Sequence, residues 1–241
     1  MFQRRVFSRI VLGAGVCLAF ALPFLRAAES GEGADTQQIL TRYLSARRTQ
    51  RDSLRGVEMQ VKIVAKLPRL EKQGTLKALR RISKLGKITY KALGFSGDST
   101  IKDEIIARYL SAESQSPETA ITPVNYKFKY RGRANQDGRL VQIFQITPRK
   151  KRVGMFKGEL WLDAETAMPV RESGRLVKTP SVFLKKVEFV NEYEIQNGVA
   201  IPKRFESKAD VRIFGRAELN VDFSNFSRAE TTDELTTSSN R

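Results

Sequence analysis

The chain has 241 residues, 43 lysines and arginines against 26 acids, and a formal charge of +17. It contains no histidine, which excludes Ser-His-Asp and Cys-His mechanisms and removes the commonest ligand for zinc, copper and iron. Its single cysteine, Cys17, excludes a disulfide framework, so stability must come from a real core.

The first residues read as an address. Arg4, Arg5 and Arg9 precede an uncharged apolar run, Ile10 to Leu25, followed by small residues at Ala27 and Ala28 and a polar turn at Glu29. This order is that of a secretory signal, expected over residues 1–28. The alternative is an uncleaved N-terminal anchor, but spanning a bilayer takes roughly 20 apolar residues and this run is shorter and broken by Pro23. Cleavage after Ala28 removes four arginines and Cys17 and lowers the charge to +13. A protein exported in this way is expected in the periplasm, without access to cytosolic nucleotides or the chromosome.

Residues 29–228 are expected to form one domain, and the polar residues 229–241 a disordered tail. Glu29 to Ala34 reads as a linker. Asp35 can cap a helix over Thr36 to Ser53, with Leu40, Tyr43 and Leu44 on its apolar side and Gly56 past its end. The period then changes to two. Val57, Met59, Val61, Ile63 and Ala65 alternate with polar residues, the pattern of a half-buried strand. Strands over 74–83 and 87–95 follow, turning at Leu85-Gly86.

A second helix is expected after Asp98, Ser99 or Thr100, with Ile101, Ile105, Tyr109 and Leu110 as its apolar side. Pro117 and Pro123 mark a loop. From Asn125 to Phe226 the chain reads as strands only, and Asn197-Gly198 is a strong hairpin signal. About ten strands with hairpin links make an antiparallel sheet. The fold class is therefore α+β, mainly antiparallel β: a curved sheet with two helices over its concave face.

Several motifs suggest chemistry and are read more simply. Ser99-Thr100-Ile101-Lys102 has the S-x-x-K spacing of penicillin-binding serine enzymes, but no S-D-N accompanies it, and a helix cap explains it. Gly94-Phe95-Ser96-Gly97-Asp98 fails the nucleophile-elbow pattern. Glu159 and Asp163, like Glu188, Glu192 and Glu194, share strand faces, where acids usually form ion pairs with cations across the strand. Tyr126 to Arg133 alternates aromatics and cations. On a strand the aromatics point one way and the cations the other, so no nucleic-acid stripe is expected. No catalytic residue, metal ligand or cofactor is expected.

The remaining feature is physical. Val61, Ile63, Phe144, Ile146, Phe156, Leu160, Leu162, Phe189, Leu219, Val221 and Phe223 give a wide apolar inner wall. Ile105 and Tyr109 of the second helix would lie over it as a lid. If two helices underfill that wall, it offers a site for an apolar ligand.

The segment Gly158-Glu159-Leu160-Trp161-Leu162-Asp163-Ala164-Glu165-Thr166-Ala167-Met168-Pro169-Val170 resembles a strand–turn–strand motif of exported proteins related to the LolA-type outer-membrane lipoprotein carriers. Tyr193 to Pro202 is similar to their next long hairpin, and Ile105 to Leu110 to a helix of uncharacterised members. The resemblance implies a half-barrel with helices over a hydrophobic cavity, and as ligand the acyl chain of a lipid or lipoprotein. It also implies an alternative, an envelope module that binds a protein partner; the basic excess adds an anionic membrane surface as a further partner.

Overall fold

The computed structural model describes residues 28–112 and 119–228, with side chains for 35–111 and 119–228. The expected signal, but for Ala28, and the expected tail lie outside the described residues.

Ten strands form one open, curved antiparallel sheet. They are β1 (Val57–Leu67), β2 (Lys72–Ile82), β3 (Ile88–Gly97), β4 (Tyr126–Gln136), β5 (Arg139–Pro148), β6 (Phe156–Asp163), β7 (Pro169–Leu176), β8 (Leu184–Gln196), β9 (Val199–Val211) and β10 (Gly215–Arg228). Their order is β3-β2-β1-β10-β9-β8-β7-β6-β5-β4, so all neighbours except β1 and β10 are consecutive in the chain. Asn197 and Gly198 both take positive φ, 50° and 75°, the mirror-image turn that suits the twist of β8 and β9.

This order explains where the second helix lies. β3 is one edge of the sheet and β4 the other. The chain between them must therefore cross the sheet, and its apolar residues fix the crossing to the concave face. Asp98 caps the segment, its Oδ1 accepting the Thr100 N–H at 2.8 Å. Helix α2 (Ser99–Ile101) runs through one π-type turn, Lys102–Ile106, into α3 (Ala107–Ala112). A π turn holds one more residue than an α turn and so rotates the apolar side. Ile101 and Ile106 are consequently the fully buried residues, while the expected lid residues Ile105 and Tyr109 are partly buried beside them.

Helix α1 spans Ala28–Ser53, so Asp35 lies inside it rather than at its start. Asp35 instead pairs with Arg133 at 3.8 Å. Ile39, Leu40 and Tyr43 are buried on one side of the helix, as the spacing requires. Side-chain donors fasten α1 to two loops and to the start of β9. Arg42 donates to the Glu165 carbonyl, Arg47 to the Ile121 carbonyl at 2.9 Å, and Gln50 to the Ala200 carbonyl at 2.9 Å.

Asp163 shapes the turn between β6 and β7. Its Oδ1 accepts the Thr166 N–H and hydroxyl, both at 2.7 Å, and its Oδ2 accepts from Arg139 at 3.0 Å. Burial alone would raise this carboxyl, but the Thr166 bonds and the Arg139 guanidinium outweigh it and hold it below the ordinary 3.8. A lowered carboxyl contributes stability above its unfolded value and loses it as pH falls through the folded one. Asp163→Asn is therefore expected to unfold at a lower midpoint at neutral pH, by about 2 kcal/mol. The difference from wild type should shrink below pH 3.8, as urea titrations at several pH values would show. The Asp-x-x-Thr of the recognised motif thus builds a turn.

Candidate functional site

The inner wall divides into two packed clusters. One joins β1, β2 and β10 to α2 and α3, and holds Val61, Ile63, Leu219 and Val221, with Phe223 partly buried against it. The other joins β4, β5 and β6 to α1, and holds Phe144, Ile146, Phe156, Leu160 and Leu162. Tyr126, Phe128 and Tyr130 face inward into this second cluster, as their alternation requires. Most of the wall is therefore covered by the two helical segments.

A strip between the covers is not sealed by the described residues. It lies on the inner faces of β8 and β9. Phe189 packs against the second cluster and Phe205 against the first, and both are only partly buried. Their rings stack at 6.1 Å. Phe189 meets Phe156 edge-on at 4.8 Å, and Phe205 stacks on Tyr109 at 5.5 Å. The result is a row of four aromatic rings crossing from one cluster to the other. Val187 and Ala209 pair across the strands and Leu184 pairs with Val211, extending the strip toward the loop end of the sheet. All four are partly buried.

The other end of the strip is polar. Glu172 and Asn191 pair across β7 and β8, and Tyr193 lies two residues further along. Asn191 donates to the Tyr193 hydroxyl at 2.5 Å. Arg47 reaches in from α1 and donates to the Tyr43 hydroxyl at 3.3 Å. Burial raises the Glu172 carboxyl above the ordinary 4.5, although Arg47 and hydrogen bonds to Tyr193 and Asn191 act against it. Burial, then the neighbouring Glu172, raises the Tyr193 hydroxyl in turn. Burial also lifts the Tyr109 hydroxyl, to about 12.

Glu172 gives a pH prediction whose sign is opposite to that of Asp163. A raised carboxyl holds its proton more tightly in the folded state, so stability falls as pH rises from 4.5 to the raised folded value. Glu172→Gln is expected to remove that fall. Wild type and variant should therefore diverge in thermal midpoint as pH rises above 4.5, the variant being the more stable.

A separate cavity of about 290 Å³ lies beside the middle of α1, lined by Asp35, Gln38, Arg42, Arg133 and Gln142 with Ile39, Leu140 and Ala164 beside them. Its lining is largely polar, and it is remote from the aromatic strip.

Of the residues expected to bind ligand, Phe189 and the lid residue Tyr109 meet in the strip, with Phe156 at its margin. The remaining wall residues divide between the packed clusters. Phe205, Glu172, Asn191 and Tyr193 were not anticipated. Alternation carried a signal for each. Phe205, Ala209 and Val211 share the face of β9, and Glu172 sits among Val170, Gly174 and Leu176 on β7.

The other motifs resolve simply. Ser99 is the exposed first residue of α2, and Lys102 lies over the Phe95 ring at 5.7 Å. Glu192 pairs with Arg171 across β7 and β8 at 3.5 Å. Glu188 pairs with Lys186 at 2.7 Å, and Glu159 accepts the Trp161 indole N–H at 2.9 Å.

No protein-family model and no curated protein matches this chain. Solved structures do resemble it. A DUF1329 family protein from Desulfovibrio piger is 16% identical with a TM-score of 0.41, over 80% of this chain and 94% of that one. A putative outer membrane lipoprotein-sorting protein domain from Vibrio parahaemolyticus is 13% identical with a TM-score of 0.40, over 80% and 94%. A LolA superfamily protein from Nitrosomonas europaea is 13% identical with a TM-score of 0.35, over 79% and 92%.

Proposed function

We propose that this protein is a periplasmic, non-enzymatic binding or carrier protein whose ligand is the acyl chain of a lipid or lipoprotein. The observation that carries the reading is the row that runs from the buried Phe156 through Phe189, Phe205 and Tyr109, the last three left partly uncovered between two helical covers. An acyl chain laid along it gains about 0.8 kcal/mol for each CH₂ removed from water. The polar group of Glu172, Asn191, Tyr193 and Arg47 ends the strip beneath α1, so the chain would lie toward Val187, Ala209 and Val211. The strip presents mainly aromatic and aliphatic burial surface, which supports binding rather than bond chemistry.

Lipid extraction and mass spectrometry of gently purified protein are expected to recover bound acyl lipid. A fluorescent fatty acid should bind saturably and without dependence on salt, since apolar burial is not screened. Phe205→Glu should lose that binding, and so should Ser207→Trp, which fills the strip without adding charge. Lipid-free protein with no fatty-acid uptake would overturn the proposal, as would full uptake by both variants when each melts as wild type does.

A further inference from the structure

The strand ends that carry the β1–β2, β5–β6, β7–β8 and β9–β10 connections form a second surface. Five stretches meet there, and their contacts make them one continuous rim. Gly215, the first residue of β10 after the β9–β10 turn, lies against Arg69 of the β1–β2 turn. Arg212 donates to the carbonyls of Phe183 and Val182, at 2.8 and 2.9 Å, joining that turn to the β7–β8 loop. Val177 donates to the Met155 carbonyl at 2.9 Å, joining the β7–β8 loop to the β5–β6 loop. Arg149 donates to the carbonyls of Asn125 and Pro123, both at 2.8 Å, joining that loop to the segment before β4.

Each stretch holds an apolar side chain out in water. Leu70, Ile213, Val182, Phe183, Val153 and Val124 are between 41% and 82% exposed. Singly such residues are ordinary, but one on every successive loop of one edge is a pattern. Cations stand among them: Arg69, Arg212, Lys178 and the run Arg149-Lys150-Lys151-Arg152. Glu71 is the only acid in the stretches 68–71, 122–125, 149–155, 177–183 and 212–214.

We propose that this rim docks on an anionic phospholipid membrane, with the apolar tips entering the interface and the cations meeting the headgroups. Charge decides the occupant. Seven cations against one acid suit a surface that is anionic throughout, and apolar tips on short loops suit a fluid apolar layer better than one complementary protein face. The proposal stands on observations separate from the aromatic strip. The two do meet, because Leu184 and Val211 lead the strip to this same rim.

The test places a reporter in the rim. In a Trp161→Phe background, Phe183→Trp makes residue 183 the sole indole of the chain. Vesicles containing phosphatidylglycerol are expected to shift its emission to the blue, and brominated acyl chains to quench it. Phosphatidylcholine vesicles should do neither. About 1 M salt should reverse both changes, the screening length there being about 3 Å. Lys150→Glu with Lys151→Glu should weaken binding about tenfold or more. These exposed substitutions should leave melting and fatty-acid uptake in vesicle-free solution unchanged, so the rim and the strip fail separately. An indole that stays water-like with anionic vesicles, or that responds equally to neutral ones, overturns the proposal.

Discussion

Gly158→Ala is expected to cost about 3 kcal/mol or more, a large share of the 5–15 kcal/mol that holds an ordinary domain together. Gly158 of β6 faces Gly174 of β7 across the ladder. A Cβ at Gly158 would collide with the Ser173 carbonyl oxygen and stand 2.6 Å from the Gly174 Cα. One at Gly174 would meet the Lys157 carbonyl oxygen at 2.5 Å and the Phe156 ring at 2.8 Å. Backbone atoms cannot rotate aside as a flexible side chain can, so the strands must separate. Separation would disturb Phe156, which seats the aromatic row through its edge-on contact with Phe189. Urea unfolding should show the loss as a lower midpoint with an unchanged slope. A midpoint within about 0.5 kcal/mol of wild type would mean that the two strands do not approach so closely.

Phe144→Ala is expected to cost about 3–5 kcal/mol. Phe144 is fully buried at the centre of the second cluster. Its ring meets Tyr130 at 5.4 Å and Phe128 edge-on at 6.2 Å, and it pairs with Leu160 across β5 and β6. The space left cannot collapse easily, because β4, β5 and β6 are fixed by their ladders and α1 by its bonds to two loops and β9. Phe223→Ala should cost less, since that ring is only partly buried. Chemical denaturation of both variants checks the ranking. Equal costs would mean that Phe223 is as fully packed as Phe144.

Much of this fold could be read from alternation. Val57 to Ala65 and Ala217 to Phe223 show period two because one face of the sheet is buried, and Asn197-Gly198 marks its hairpin by the φ values it permits. What escaped were effects of long range. Nothing local indicates that β1 pairs with β10, and that pairing puts β3 and β4 at opposite edges and sends α2 and α3 across the face. Asp35 looked like a cap because its residue type favours one, but its carboxylate faces Arg133. Ile106 exceeds Ile105 in burial because the π turn rotates the apolar side, and such a turn leaves no mark that a period of 3.6 can detect.

The site was legible to a lesser degree. The apolar wall was visible, with Phe189 and Tyr109 on it, but sequence does not say which part of a wall its helices cover. Coverage depends on where α1 and α3 come to rest, and they leave the strip of β8 and β9 between them. The polar end was missed for a simpler reason. Glu172 is one acid on a basic chain, and only Asn191, Tyr193 and Arg47 around it give it a role.

Photo-crosslinking with a diazirine-bearing fatty acid would test directly whether a greasy chain lies along the aromatic row. Adducts should concentrate on peptides containing Tyr109, Phe189 and Phe205, and should fall away in Ser207→Trp. Adducts scattered over the surface, or gathered at the polar cavity near Arg133 instead, would contradict it.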